Sequence, residues 1–503
     1  MKETRIVPYA GVGEIGGNKI LVVDKGAKIL LDFGKPFSRW NRFYDFPFTV
    51  PGKEREDFLE LLSLGLIPEP KGDLIGLYTE RVPDRATDLS KEPPTDIAAC
   101  LLSHVHGDHM GYLSLLNRRI RSYASEASWR ITRTYYEHSS FKTVEGDIGG
   151  FERGVNVEAF RGSVTELKGL DLPAKAVAID HSVPGAYAFL IEAEAGLIAY
   201  TGDIRWHGPY AEGTDRFVRR ARGADYLLCD STNVDLGDVT DEEDVEELLL
   251  RALNTYRGVI VNISSIDTDR INTIYRAAVR AGRKVVLNMR VATALARLDG
   301  LRIKNFPRLS DMFVYQREKP PYYAWEIGFL GRPPKKLASY EEYTRKLRQR
   351  GEPYRERLKI IQTERKYGEK YAGSIIATEM LERPLDHVLV TSFGSTAELR
   401  DIFRLCGAGC LLGGVYIQSS SEPFNEEMEV KHEKLRSWVT ELGMPYCHIH
   451  SSGHAYQPSL RRMVEEMEPE HVVPIHCEHP EVFEKLIEAR DVIIPTMGRD
   501  LLQ

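Results

Sequence analysis

Short apolar runs bounded by turn residues occupy the first part of the chain. Ile6–Tyr9, Lys19–Val23, Lys28–Asp32 and Ala98–Ser103 read as strands, with glycine-rich turns at Gly11–Gly17 and Gly26. Between Phe37 and Thr95 lies a proline-rich insertion holding one predicted helix, Glu54–Leu64. More strands are expected at Ala176–Ile179, Ala186–Glu192, Gly196–Thr201 and Tyr226–Cys229. At Leu236 the texture changes. Thr240-Asp241-Glu242-Glu243 reads as a capping box opening an acidic helix that runs to about Asn254. Val259–Ile263 then reads as a strand, Asp269–Ala281 as a helix and Lys284–Asn288 as a strand, the alternation of a βαβ module with a parallel sheet. His387–Thr391, Gly414–Gln418 and the helix Glu426–Leu442 look like its closing part. The expected organisation is therefore one domain inserted in another: 1–235 and 436–503 form the outer domain, and 236–435 the insert.

Composition narrows the classes. At 503 residues, 42% apolar and 28% charged, the chain has the composition of a globular protein of two or three domains, not of a disordered or collagen-like one. No uncharged apolar stretch approaches the ~20 residues that span a bilayer, and MKETRIVPYAGVG lacks the apolar run of a signal peptide, so a cytoplasmic protein without a membrane partner is expected. Six scattered cysteines (100, 229, 406, 410, 447, 477) include no CxxC pair and read as reduced thiols, with Cys406 and Cys410 serving packing rather than metal binding. The net charge of −7 hides an asymmetry: residues 301–370 hold 18 Lys+Arg against 9 Asp+Glu. That stretch interleaves Tyr322, Tyr323, Trp325, Tyr340, Tyr343, Tyr354 and Tyr367 with its cations, the pattern of a groove that tracks phosphates and stacks bases, and equally that of a solvated helical face over core aromatics.

The sharpest chemistry lies in Ser103-His104-Val105-His106-Gly107-Asp108-His109, just after a predicted strand. In extended backbone His104 and His106 point to one side, while Asp108 and His109 fall in the following turn and face a second centre. Imidazole and carboxylate together suit zinc or a similar borderline divalent cation.

This HxHxDH run resembles the metallo-β-lactamase superfamily, and two further landmarks follow in order: His181 in His-Ser-Val-Pro-Gly and Asp203 in Thr-Gly-Asp. Asp32, in Leu-Leu-Asp-Phe-Gly, matches the early aspartate that buttresses the metal loop. Asp230-Ser-Thr-Asn233, His450-Ser-Ser-Gly-His454-Ala455 and Pro474-Ile-His476 resemble the motifs of β-CASP nucleases, and with Gly13-Glu14-Ile15-Gly16 the likeness is greatest to ribonuclease J and its archaeal-type relatives. Ribonuclease J proper has glycine where Cys477 stands and a C-terminal domain, whereas this chain ends 27 residues after His476. The resemblance implies an α/β architecture, a metallo-β-lactamase αββα sandwich carrying an inserted β-CASP α/β domain. It implies two zinc ions, with manganese or magnesium as alternatives. His104, His106, His181 and Asp203 would hold one; Asp108, His109, Asp203 and His476 the other. Catalytic roles fall to Asp108, to Asp230 and to His454, the last two as the pair that protonates the leaving oxygen. His476 replaces a valine usual in DNA-repair relatives, which favours RNA. His450 and Ser452 look like phosphate contacts, and turns containing Ser264 with Arg270, and Ser392 with Ser395, are candidate phosphate-binding turns at helix N-termini. The implied activity is RNA hydrolysis from a 5′-monophosphate end with weaker internal cleavage. A β-CASP DNA nuclease, a small-ester hydrolase and an RNA-binding subunit of a processing complex are the rivals, and a homodimer is one assembly that fits.

Overall fold

The computed structural model describes residues 3–44, 58–79, 93–138, 156–237, 239–301, 303–304, 306–316, 342, 345–346, 348–349, 368–392, 396–421, 426–487 and 491–503. The chain divides into two compact units, residues 1–239 with 453–503, and residues 240–452.

The first unit contains two sheets. One comprises β1 (Arg5–Ala10), β2 (Lys19–Asp24), β3 (Ala27–Leu31), β4 (Ile97–Leu101), β5 (Arg121–Ser125) and β6 (Asn156–Phe160) in that spatial order. The first three run antiparallel, and β3 to β6 run parallel. The other comprises β7 (Val164–Leu167), β8 (Ala174–Ala178), β9 (Tyr187–Ala193), β10 (Gly196–Tyr200), β11 (Tyr226–Asp230), β19 (His471–Ile475) and β20 (Asp491–Val492), in the order β20-β19-β11-β10-β9-β8-β7. Because side chains alternate along a strand, each sheet offers two faces. Ile20, Val22, Ile29, Leu31 and Leu101 share one core with Phe189, Ile191, Ile198, Leu228 and Val473 of the second sheet. The opposite face of that second sheet, through Val177, Ala188, Ala199 and Leu227, meets Phe217 of the helix Ala211–Arg220 and Leu460, Met463, Val464 and Met467 of the helix Gln457–Met467. The spacing of the last four marks one apolar helical stripe. The result is the expected αββα sandwich.

The second unit is built on a seven-stranded, wholly parallel sheet of β12 (Val259–Ile263), β13 (Lys284–Leu287), β14 (Phe313–Gln316), β15 (Gly373–Ile376), β16 (His387–Ser392), β17 (Val415–Gln418) and β18 (Tyr446–His448), in the order β15-β14-β13-β16-β12-β17-β18. Val259, Val261, Val388, Val390, Val415 and Ile417 enter one core, and Ile260, Leu389 and Tyr416 the other. Burial on both faces explains why these strands are continuous apolar runs in the sequence.

Three expectations need correction. The insert runs from Thr240 to Ser452, not from 236 to 435, because the helix Glu426–Glu441 buries Leu435 and Val439 in the same core as Tyr416 and because β18 pairs with β17. The capping box is shifted by one residue: Asp241 accepts from the backbone of Glu243 and Asp244, and the Asp244 carboxylate accepts from Asp241 N–H. Cys406 and Cys410 are not thiols but a disulfide with Cα atoms 5.6 Å apart, the helix Ala397–Cys406 turning back after Gly407 (φ 75°). The other four cysteines are free. No described helix is long and apolar enough to cross a membrane.

One buried cation ties this framework to the histidine-rich turn. Lys19, at the start of β2, is wholly buried; its ammonium donates to the Gly17 carbonyl at 3.1 Å and lies 5.6 and 5.5 Å from the ring centres of Phe33 and Tyr112. Gly17 in turn donates its N–H to the Asp108 carbonyl at 2.9 Å. Burial, aided by Arg39 and opposed by Glu14, pushes the Lys19 amine from 10.5 down to about 7. Between those values the unfolded chain binds more protons than the folded one, so this group makes stability rise with pH across that window. Lys19→Met is therefore expected to raise the melting temperature at pH 7, with the gain shrinking as pH climbs toward 10. Scanning calorimetry of both proteins across that range checks this, and a gain independent of pH would show that Lys19 does not titrate there.

Candidate metal centre

The candidate residues of the first unit converge although they come from separate loops. Asp32 follows β3 and is wholly buried in the left-handed region (φ 56°). One carboxylate oxygen accepts the Ser103 N–H at 2.7 Å; the other accepts the Ser103 hydroxyl at 2.7 Å, His109 Nδ1 at 2.8 Å and the Tyr200 hydroxyl. The backbone reinforces this hold: Phe33 N–H donates to the His109 carbonyl at 2.8 Å and Lys35 N–H to the Gly107 carbonyl at 2.9 Å. Approach this close leaves no room at Gly34, where a Cβ would overlap the Asp108 carbonyl. Gly107–Met110 is a single helical turn directly after His106, so Asp108 and His109 are projected from a different backbone conformation than His104 and His106.

His104, His106, His181 and Asp203 form the first donor group, their ligand atoms all within 4.8 Å of one another. His104 Nε2 and His181 Nε2 lie 3.0 and 3.1 Å from His106 Nδ1, and 3.3 and 3.7 Å from Asp203 Oδ2. Outer contacts assign the tautomers. His181 Nδ1 faces the Gly453 carbonyl at 2.6 Å, and His104 Nδ1 faces the Ser103 hydroxyl at 3.1 Å, whose own proton goes to Asp32. Both imidazoles therefore turn an Nε2 lone pair inward, toward one point. Burial holds all three imidazoles neutral: it lowers His104, assisted by His109, and His181, assisted by His104, while His106 falls to about 3. Neutral, inward-facing nitrogens beside a carboxylate are what a divalent cation requires.

Asp108, His109 and His476 form a second group. His109 Nε2 stands 2.9 Å from Asp203 Oδ1, yet neither atom has hydrogen-bond geometry with any partner among the described residues. Two buried polar atoms so placed fit a missing cation between them. His476 Nε2 lies 3.2 Å from Asp108 Oδ2 and 3.6 Å from Asp203 Oδ1. Its ring is oriented by Thr232, whose hydroxyl meets His476 Nδ1 at 2.8 Å and donates to Asp230 Oδ1 at 2.7 Å. The side chains of the centre form an ionic cluster. Against burial, His109 and His476 hold Asp108 and Asp203 below the usual carboxylate range, and against burial Asp203 and Asp32 hold His109 well above the ordinary histidine value. The two Asp203 oxygens thus face the two groups separately. His106 and Asp108 are the half-buried members, while His104, His109, His181, Asp203 and His476 are buried.

Asp230 and His454 are an ion pair, Nδ1 to Oδ2 at 2.9 Å. Asp230 is buried at the end of β11 and also accepts the Ile204 N–H at 3.1 Å, whereas His454 leaves 20% of its side chain exposed. Burial opposes protonation of His454, but Asp230 and then Asp203 overcome it and raise the imidazole to about 9. His454 Nε2 lies 3.9 Å from Asp203 Oδ2, so a proton donor stands beside the donor cluster.

The candidates in residues 240–452 are placed differently. Ser264 and Ser392 follow from paired strands, Ile263 being in register with Ser392, and His450 comes just after β18. These are C-terminal ends of neighbouring parallel strands, where open α/β sheets bind ligands. Ser392 Oγ accepts from Asn288 at 3.2 Å. Arg270 is wholly buried; its guanidinium pairs with Glu242 at 2.7 Å and also reaches Ser419, the Ser451 carbonyl and His450 Nδ1 at 3.0 Å. It is thus a structural cation that orients His450. Ser452 is half-buried beside this loop. Ser395 lies outside the described residues, as do Tyr322, Tyr323, Trp325, Tyr340, Tyr343, Tyr354 and Tyr367 of the basic stretch; Arg345, Lys346 and Arg348 of that stretch are exposed. Sequence reasoning missed Ser103, Tyr200 and Thr232, which orient the ligands. Only their neighbourhood to the motifs signalled them.

Comparison with known proteins agrees with this geometry. Residues 76–245 match the model of the beta-lactamase superfamily domain, and residues 447–495 that of the Zn-dependent metallo-hydrolase RNA specificity domain. A curated Ribonuclease J of Mycobacterium tuberculosis is 30% identical over 58% of this chain and 47% of its own length. Another from Sinorhizobium meliloti is 24% identical over 95% of this chain and 69% of its own. The chain thus spans about half to two thirds of the length of these relatives. A crystal structure of a protein of unknown function from Enterococcus faecalis V583 superposes with a TM-score of 0.68 at 19% identity, covering 99% of both chains, which supports the fold. Fold and donor set define a metallo-β-lactamase-fold protein with an inserted β-CASP α/β unit and a site for a metal cofactor. In sequence it is similar to these curated proteins named Ribonuclease J.

Since Asp203 serves both donor groups, Asp203→Asn is expected to strip metal from both and abolish turnover, whereas His106→Ala weakens chiefly the first. Elemental analysis after dialysis, together with cleavage assays, checks this; wild-type metal content and turnover in Asp203→Asn would overturn the assignment.

Proposed function

We propose that the chain is a metal-dependent ribonuclease that hydrolyses RNA phosphodiester bonds with two zinc ions, mainly from the 5′ end and more weakly within the chain. The observation that carries this reading is the Asp230–His454 pair, which with Asp203 and His476 makes a third donor group beside the other two. A small-ester hydrolase with a good leaving group needs no such acid, and a binding-only subunit needs no complete ligand set. The match of residues 447–495 to a domain described by RNA specificity, spanning His450, Ser452, His454 and His476, supports RNA as the polymer.

The bound metals would supply Lewis-acid stabilisation of phosphate charge and an activated water. The chain's own residues do the rest. Asp203 would offer one oxygen to each ion, and the half-buried Asp108 would help hold the second. Asp230 accepts from His454 Nδ1 and so keeps Nε2 protonated toward the substrate. That proton passes to the leaving oxygen as the phosphorus–oxygen bond breaks.

His454→Ala is expected to slow the chemical step by roughly 10²–10⁴-fold, the usual worth of a positioned acid, while metal content stays unchanged. Loss of metal in this variant would make His454 a ligand instead. In the metal-free protein the His454 proton signal should titrate near pH 9, and Asp230→Asn should lower that midpoint, since Asp230 is the chief opponent of burial. NMR titration of both proteins decides this.

The 5′-end preference requires a phosphate pocket, for which Ser264, Ser392, His450 and Ser452 at the strand ends are the proposed donors, with Arg270 acting through His450. Ser395 completes the proposed set from outside the described residues. RNAs labelled at the 3′ end and carrying 5′-hydroxyl, monophosphate or triphosphate should be degraded fastest as the monophosphate. Equal rates on all three, with mid-chain fragments first, would leave an endonuclease.

A further inference from the structure

The segment directly after the Asp32 loop, Phe37-Ser-Arg-Trp-Asn-Arg-Phe-Tyr44, alternates aromatic rings with cations, and neither the metal centre nor the phosphate pocket uses it. Its place is unusual. Lys35 N–H is bonded to the Gly107 carbonyl, and the Phe37 ring lies 3.0 Å from where a Cβ on Gly107 would stand. Gly107 separates His106 from Asp108, the two half-buried ligands through which the centre meets solvent. The rings are held in place. Trp40 stacks on Tyr44 with centroids 5.6 Å apart and planes at 20°, and the buried Lys35 ammonium lies 3.2 Å from the Trp40 ring centre and 5.8 Å from that of Phe37. Arg39 anchors the turn to Glu14 by two bonds of 2.9 Å and to the Gly65 carbonyl at 2.7 Å. Phe37, Trp40 and Tyr44 stay half-buried, Arg42 is exposed and Phe43 is 47% exposed.

A globular domain has no packing need to keep four rings partly in water beside a ligand turn. Base faces stack on such rings, and cations beside them suit the polyanionic backbone. Resting on the ribonuclease reading above, we infer that Phe37, braced by the stack of Lys35, Trp40 and Tyr44, is a stacking platform for single-stranded RNA, receiving the base of a nucleotide that adjoins the scissile phosphate, with Arg42 facing the backbone. Gly107 supports the platform by lacking a side chain: a methyl there would push the Phe37 ring away from the ligand turn. The platform would favour unpaired nucleotides, because a paired base offers no free face.

The test uses the metal-loaded full chain, short unstructured RNAs, and the same RNAs with one abasic nucleotide stepped across the cleaved bond. Phe37→Leu should raise KM about tenfold, the order expected for one lost stacking contact, and Trp40→Leu, by removing the brace, should raise it too, with kcat moved much less and metal content unchanged. An abasic nucleotide at the stacked position should cost the wild type a similar factor and cost Phe37→Leu nothing further. Trp40→Phe should restore most of the loss in Trp40→Leu, which a folding defect would not allow. RNA cleaved by the wild type with no abasic penalty, or with KM unchanged in both leucine variants, overturns the platform while leaving the ribonuclease reading intact. Absence of any RNA cleavage by the metal-loaded wild type overturns both.

Discussion

The Asp32 carboxylate is the point on which the metal centre depends. It lies wholly buried and accepts from Ser103 twice, from His109 and from Tyr200. A buried carboxylate is costly unless its lone pairs are filled, and here each contact that fills them also orients a neighbour. Ser103, having given its proton to Asp32, can only accept from His104, and His109, bonded through Nδ1, presents Nε2 inward. The cost of burying one charge is thus converted into one fixed tautomer, that of His104, and one fixed ring orientation, that of His109.

The same logic recurs at the other end of the chain. His476 adopts a left-handed backbone (φ 55°), a conformation unfavourable for a side chain of its size, and is held there by its N–H to the Gly11 carbonyl at 2.9 Å and by Thr232. Strain of this kind persists only where the surroundings over-determine it. Thr232 then joins the ligand His476 to Asp230, so the metal group and the acid share one hydrogen-bonded chain from His476 to His454.

The inserted unit follows a different economy. Its strands bury both faces, leaving polar residues to the strand ends, where Ser264, Ser392, Ser419 and His450 accumulate. Arg270 shows how a polar group fares below that rim. Fully buried, it is neutralised by Glu242 and spends its remaining donors on Ser419, Ser451 and His450. At the rim Ser392 accepts from Asn288 and Ser419 from Arg270, so this arginine is scaffold.

Much of this was legible in the sequence. Short apolar runs bounded by turn residues marked β2, β3, β10 and β12 nearly to the residue, because that pattern is local. The donor cluster was legible because imidazoles and carboxylates packed into six residues serve little purpose in a core. What local pattern does not carry is the partner across space. That Leu435 belongs with Tyr416 and that Arg270 faces inward depend on packing between separate elements. Ser103, Thr232 and Tyr200 were invisible for the same reason: a hydroxyl takes its role from the lone pair it faces. The sequence by itself determined which atoms could bind a metal. Only the tertiary structure decided which nitrogens point inward, since at His109, His181 and His476 the second ring nitrogen is set by a neighbour tens or hundreds of residues away.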